Sequence, residues 1–166
     1  QMRGRLMRWT VVALAAVGLC ASGSAGAATA PDPNLLAAQA AAARILSLTP
    51  LPPGATPQSA DPSVGGSLSQ AFHPPGPQQV IHTRYGTVSG APGDVSHYIL
   101  THPPAGSHFY SEQGPGTPTS SWQETRSFPG QAERVTSELL TISTAPAQGG
   151  GTAIRSDAVV LWRPTW

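Results

Sequence analysis

Hydrophobic residues recur at helical spacing in two segments of the chain. The first begins at Asp32-Pro33, where an N-cap residue precedes proline at the first helical position, and it continues to residue 48. The second covers residues 92–101 and stops before two prolines, since the residue before a proline resists helical geometry. We therefore predict two packing helices, each with one apolar face. The apolar positions are Leu35, Ala38, Ala42, Ile45 and Leu46 in the first and Val95, Tyr98 and Ile99 in the second.

Strand patterns dominate the rest of the C-terminal half. Runs rich in β-branched and aromatic residues predict strands over residues 79–88, 107–112, 121–128, 134–144 and 152–163. The last two form a hairpin across Gly149-Gly150-Gly151, and Ile154, Ala158, Val160 and Trp162 share one face of the final strand. The fold class predicted is α+β, with a small antiparallel sheet of about four to five strands and one or two packing helices.

Composition divides the chain into four segments. The chain contains 18 Gly and 18 Pro residues, and these residue types are frequent between residues 50 and 78. Prolines there block strand pairing, and few side chains are apolar enough to be buried. This stretch is interpreted as an extended, flexible linker. The predicted order is a signal peptide (1–27), an Ala/Leu-rich helix (28–49), the Pro/Gly/Ser-rich linker (50–78) and a small α+β domain (79–166).

The N-terminal segment has the pattern of a secretory leader. A positive stretch precedes an apolar run of about a dozen residues, within the roughly 7–15 of a signal peptide, and Ala25-Gly26-Ala27 offers a cleavage site. Two alternatives remain: an uncleaved anchor, although the run is shorter than the roughly 20 residues of a spanning helix, and a lipoprotein modified at Cys20. The predicted location is extracellular or in the cell envelope. The positive residues are Arg3, Arg5 and Arg8.

Charge argues against nucleic-acid binding, and cysteine content argues against disulfide bonds in the mature chain. Three of the nine basic residues lie in the leader, which leaves six against eight acidic residues. A mature chain without a basic stripe is not expected to bind nucleic acid. The single cysteine, Cys20, also lies in the leader, so the mature chain is expected to form no disulfide.

Three stretches of the chain resemble a known family. The sequences RILSLTPLPPGA, THPPAGS and TAIRSDAVVLWRP are similar to those of a family of uncharacterised exported actinobacterial proteins, over roughly residues 44 to 164. The resemblance implies a shared domain type and an envelope address. Because that family has no established activity, the resemblance transfers no site residue. Its members often continue past the final strand, so it also implies that further sequence follows Trp166.

The histidines do not have the spacing of a metal site. His97 and His102 share a predicted helix but are five residues apart, whereas zinc ligands on one helix normally sit at i and i+4. His73, His82 and His108 are dispersed, and no carboxylate accompanies them at ligand spacing. We interpret them as surface or edge residues and predict no metal or cofactor.

Other polar residues offer weak catalytic candidates. No GxSxG elbow is present, and Ser107 beside His108 would point to the opposite face of a strand. Four acidic residues could supply the carboxylate pair of a glycosidase, but any chain with eight acids offers such pairs. Arg155 and Asp157 lie on one face of the last strand and are expected to pair with the neighbouring strand on a solvated face. The four acidic residues are Glu124, Glu133, Glu138 and Asp157.

Four aromatic residues could form a platform for a sugar or a peptide: Tyr85, Tyr110, Trp122 and Trp162. In a small sheet domain such residues more often belong to the core. Trp122, flanked by serines and polar residues, is the one expected to be exposed.

The leading hypothesis is a non-enzymatic exported domain that binds a cell-wall or envelope component or a protein partner, with membrane contact only if the leader is retained. It assigns no catalytic, cofactor-binding or metal-binding residue. The alternative is an extracytoplasmic hydrolase with an unrecognised site, which would require a pocket holding His82 or His108 with a carboxylate. A third hypothesis is that the chain is a structural subunit that is stable only with its partner.

Overall fold

Helices and strands cover most of the chain that the computed structural model describes, which is residues 30–71, 78–114, 121–130 and 135–165. The elements are α1 Pro33–Ser47, β1 Thr56–Gln58, β2 Gln78–Val88, α2 Pro92–Thr101, β3 His108–Gln113, β4 Trp122–Phe128, β5 Val135–Pro146 and β6 Thr152–Trp162. The strands form one antiparallel sheet in the order β1-β2-β6-β5-β4-β3. The α+β class is therefore confirmed.

The sheet has six strands, so the predicted count of four to five was too low. The additional strand is β1, which pairs with the end of β2 at Thr56↔Thr87. This strand lies inside the stretch interpreted as a linker, because Pro57 argued against a strand there. A proline is nevertheless tolerated on an edge strand, since one side of that strand needs no backbone hydrogen bonds to a neighbour. The predicted leader lies outside the described residues.

The hairpin of β5 and β6 forms the centre of the sheet. The two strands pair from Val135↔Trp162 to Pro146↔Thr152, as the glycine run between them predicts. Nine consecutive residues of β6, Thr152 to Val160, are buried. A strand buried on alternate residues has one covered face, so continuous burial shows that both faces of β6 are covered.

Both helices pack on one side of the sheet, here called the helix face. Ala38 and Ala42 of α1 are fully buried, and these small side chains let the helix approach β2, β6 and β5 closely. Val95 and Ile99 of α2 enter the same apolar core. The predicted inner face of β6 is confirmed, because Ile154, Ala158, Val160 and Trp162 all belong to that core.

The opposite side of the sheet is covered in part by residues 63–71, here called the strap, and this side is called the strap face. Leu68 packs in a small cluster with Ala145, Ala147 and Ala153. Backbone and hydroxyl bonds hold the strap: Ser143 Oγ donates to the Ser69 carbonyl at 2.9 Å. This part of the predicted linker is therefore packed against the sheet. The strap covers one part of the strap face and leaves the remainder uncovered.

Candidate binding groove

Three buried acidic side chains each lie beside an arginine. Glu124, Glu138 and Asp157 are 1% exposed. Their partners are Arg126, Arg44 and Arg155, at 2.5, 2.5 and 2.8 Å respectively. A buried carboxylate needs such a partner, since an isolated charge in the interior is costly. The fourth acidic residue considered for a catalytic carboxylate pair, Glu133, lies outside the described residues.

Asp157 stands apart from the other two, on the strap face. Its carboxylate accepts hydrogen bonds from Arg155 Nε at 2.8 and 3.0 Å, from Thr83 Oγ1 at 2.6 Å and from the Ala71 backbone N–H at 2.9 Å. The expectation of a solvated face was wrong: Arg155 is 9% exposed, because the strap covers this part of the strand. The Arg155 guanidinium also lies over the Tyr85 ring, 5.6 Å from its centroid. Asp157 therefore fastens the strap and shares no site with Glu124 and Glu138.

Glu124 is the least satisfied of these carboxylates. Arg126 Nη2 forms an ion pair with its Oε1 at 2.5 Å, but neither Glu124 oxygen has a partner with hydrogen-bond geometry among the described residues. Burial raises the pKa of Glu124, and the charge of Arg126 opposes this rise without cancelling it. The native state therefore holds the Glu124 proton more tightly than the unfolded chain does.

The raised pKa of Glu124 predicts a pH dependence of stability. Protonation of Glu124 stabilises the native state, because the native state binds this proton more tightly than the unfolded chain does. This stabilisation is complete below the ordinary pKa of 4.5, and it is lost as the pH rises through the higher pKa of the native state. We expect the unfolding free energy of the wild type, minus that of Glu124→Gln, to be smaller at pH 7.5 than at pH 4.5. Urea unfolding of both proteins across that range measures it. A difference that stays constant or grows with pH would contradict the raised pKa.

The four described histidines are spread over α2 and its C-cap, β2 and β3, and none of them forms an ion pair with a described carboxylate. His97 is exposed on α2 and His102 is exposed just after the helix ends, where it stacks on Tyr98 with ring centroids 4.0 Å apart. His108 is exposed at the start of β3, His82 lies half-buried on β2, and His73 falls outside the described residues. Ser107 Oγ donates to the Pro104 carbonyl at 2.7 Å. Within the described ranges no group of three or more His, Cys, Asp or Glu could hold a metal ion.

Among the described residues, the aromatic exposed on the strap face is Tyr110. The expectation of an exposed Trp122 was wrong. Trp122 is 7% exposed and its Nε1 donates to Glu112 Oε1 at 2.7 Å, because β4 lies one strand inside the sheet edge. Tyr110, on the edge strand β3, is 65% exposed. The β3–β4 register shifts between Phe109 and Ser111, so Tyr110 is the extra residue of a β-bulge. Bulges are common at sheet edges and beside sites, where they redirect a side chain.

Beside Tyr110, the part of the strap face that the strap leaves open forms a groove of about 250 Å³. It lies across β3, β4, β5 and the end of β6. Its described lining combines hydroxyl and amide side chains with two leucines, and apart from the Tyr110 phenol none of these side chains ionises. The lining residues are Tyr110, Ser111, Gln113, Gln123, Thr125, Ser137, Leu139, Thr141 and Leu161.

The sheet register explains why the polar groups of the groove converge. Residues directly opposite in neighbouring strands share a face, and the pairs Ser111↔Thr125 and Thr125↔Thr141 place three hydroxyls in one row. The row continues to Asp157 under the strap. Thr125 Oγ1 and Thr141 Oγ1 are 3.1 Å apart and hydrogen-bonded. The groove is thus the uncovered end of a polar row whose other end binds the strap.

Comparisons with models of protein families, with curated proteins and with solved structures find no match to this chain. In the part of the chain that the structure describes, neither helix has the length and apolar character needed to cross a membrane.

Proposed function

We propose that this chain is an exported, cell-envelope-associated binding domain without catalytic activity, and that its ligand occupies the groove beside Tyr110. The observation that carries the proposal is the groove itself, with an exposed aromatic ring over a row of hydroxyl and amide side chains. A concave site with an apolar floor and a few convergent polar groups is the usual form of a binding site. The leader-like N-terminus supports the envelope address.

The pairing of the carboxylates favours binding over hydrolysis. A retaining or inverting glycosidase needs two carboxyl groups on either side of its substrate. Here the described buried carboxylates are engaged by arginines, and the lining residues that the structure describes include neither an acid nor a histidine. The chemistry that these lining residues offer is hydrogen bonding and apolar contact.

Replacing Tyr110 with alanine is expected to weaken envelope binding about tenfold or more, because it removes an aromatic contact worth roughly 1.5 kcal/mol. The measurement is co-sedimentation of the full chain with cell-wall and membrane fractions over a range of fraction concentrations. Saturable pelleting by the wild type is expected.

Phe109→Ala is the matched control. Phe109 is an aromatic of the same strand, 58% exposed, but its pairing with Arg126 places it on the helix face. This variant should pellet like the wild type. Equal pelleting of Tyr110→Ala and the wild type would place the ligand outside the groove, and an absence of wild-type pelleting would overturn the proposed function.

A further inference from the structure

We infer that the ligand of the groove is a neutral glycan, an inference that rests on the proposed binding function. The first reason is charge. The nine described lining residues carry no carboxylate, guanidinium, ammonium or imidazole group. A phosphorylated, uronic-acid or strongly basic ligand would lose its water on entering the groove without meeting an opposite charge on any of these nine residues, which is unfavourable.

The second reason is the kind of hydrogen-bonding group on offer. Gln113 and Gln123 stand opposite each other on β3 and β4, beside the row formed by Ser111, Thr125 and Thr141. Amide and hydroxyl groups both donate and accept, so they complement sugar hydroxyls, which also do both. The Tyr110 ring supplies an apolar surface against which the C–H face of a sugar ring can pack.

The third reason is the position of the groove on a sheet face. An extended peptide usually binds along a sheet edge, where backbone N–H and C=O groups remain free. The groove borders the edge strand β3 but lies mainly across β4 and β5, whose backbone groups are already paired with strands on both sides. Only side chains are therefore available to a ligand that crosses these strands.

The strap shows how this face does hold a peptide, and the groove lacks those contacts. The strap backbone is bound by the Asp157 carboxylate at Ala71, by Ser143 at Ser69 and by Ser121, which accepts from the Ser69 N–H at 3.0 Å. None of the three side chains that bind the strap lines the groove. Among its described lining residues the groove has hydroxyls but no carboxylate like that of Asp157, and a neutral glycan needs no such carboxylate.

The experiment uses the full chain and the envelope fraction of the exporting cell after three separate treatments. Periodate cleaves the vicinal diols of sugars, protease removes proteins, and organic solvent extracts lipids. Pelleting is expected to fall at least tenfold after periodate and to be unchanged after protease or solvent. Gln123→Leu, which removes an amide of the groove and keeps its bulk, should weaken pelleting at least fivefold, while Gln39→Leu on the exposed surface of α1 should not.

Other outcomes separate this inference from the proposed function. Pelleting that resists periodate but is lost after protease identifies a protein ligand, and loss after solvent identifies a lipid. Either result overturns the inference that the ligand is a glycan, but it leaves the proposal of a binding domain that depends on Tyr110 intact. If the untreated envelope does not bind the wild-type chain, the proposed function itself fails and the glycan fails with it.

Discussion

Replacing Asp157 with alanine is expected to lower the free energy of unfolding by about 3–5 kcal/mol, the cost of breaking a buried ion pair from one side. The carboxylate is 1% exposed and binds three different parts of the fold: Arg155 of its own strand, Thr83 of β2 and Ala71 of the strap. Without it the Arg155 charge stays buried without a carboxylate, and the Ala71 N–H loses its acceptor. Urea unfolding at pH 7 measures the change.

Two variants show whether the loss comes from the buried pair. Asp94 is exposed in the first turn of α2, so Asp94→Ala should cost less than about 1 kcal/mol through the helix dipole alone. The double variant Arg155→Met, Asp157→Leu removes both charges and should recover a large part of the lost stability. If Asp157→Ala costs no more than Asp94→Ala, the carboxylate does not fasten the strap.

The elements that depend on local pattern could be predicted from the sequence. Both helices have strong starts: Asp32 accepts a hydrogen bond from the Asn34 N–H at 2.8 Å, as an N-cap residue does, and α2 begins at Pro92. The β5–β6 hairpin follows from its glycine turn and two alternating runs. In each case the residues that specify the element lie within a few positions of it.

The strap could not be predicted, because its stability comes from distant residues. Val64, Leu68 and Ala71 are the only three apolar side chains of the strap, and a stretch of such composition ordinarily buries too little to fold. Here the sheet supplies the partners, namely Asp157, Ser143 and the alanines around Leu68. The hydrogen bond between Ala71 and Asp157 joins residues 86 positions apart, and the one between Ser69 and Ser143 joins residues 74 positions apart. No local sequence pattern can predict contacts over such separations.

The groove was missed for a different reason. The choice of Trp122 as the exposed aromatic used its polar neighbours, but the strand order places β4 inside the sheet and β3 at the edge. Exposure of Tyr110 depends further on a one-residue bulge, which changes the face that an aromatic presents. The hydroxyl row needs the register of three strands, and register between strands is not visible in one sequence.

The glycine turn of the central hairpin carries the second large expected effect. Gly151 has a φ of +76°, in the left-handed region that side chains rarely adopt. A Cβ there would lie 2.4 Å from the Val88 carbonyl oxygen, where β2 ends beside the start of β6. That oxygen belongs to the backbone and cannot swing away. Gly151→Ala is therefore expected to lower the unfolding free energy by about 2–4 kcal/mol, from backbone strain and overpacking together.

Gly149, two residues earlier in the same turn, is the matched control. It has no positive φ, and a Cβ built on it meets nothing within 4 Å. Gly149→Ala should leave stability unchanged or raise it by up to about 1 kcal/mol, because alanine restricts the unfolded chain more than glycine does. Denaturant unfolding of the two variants separates them. Equal effects would mean that β2 does not close against the turn, and the pairing of β2 with β6 at Val88↔Thr152 would then be wrong.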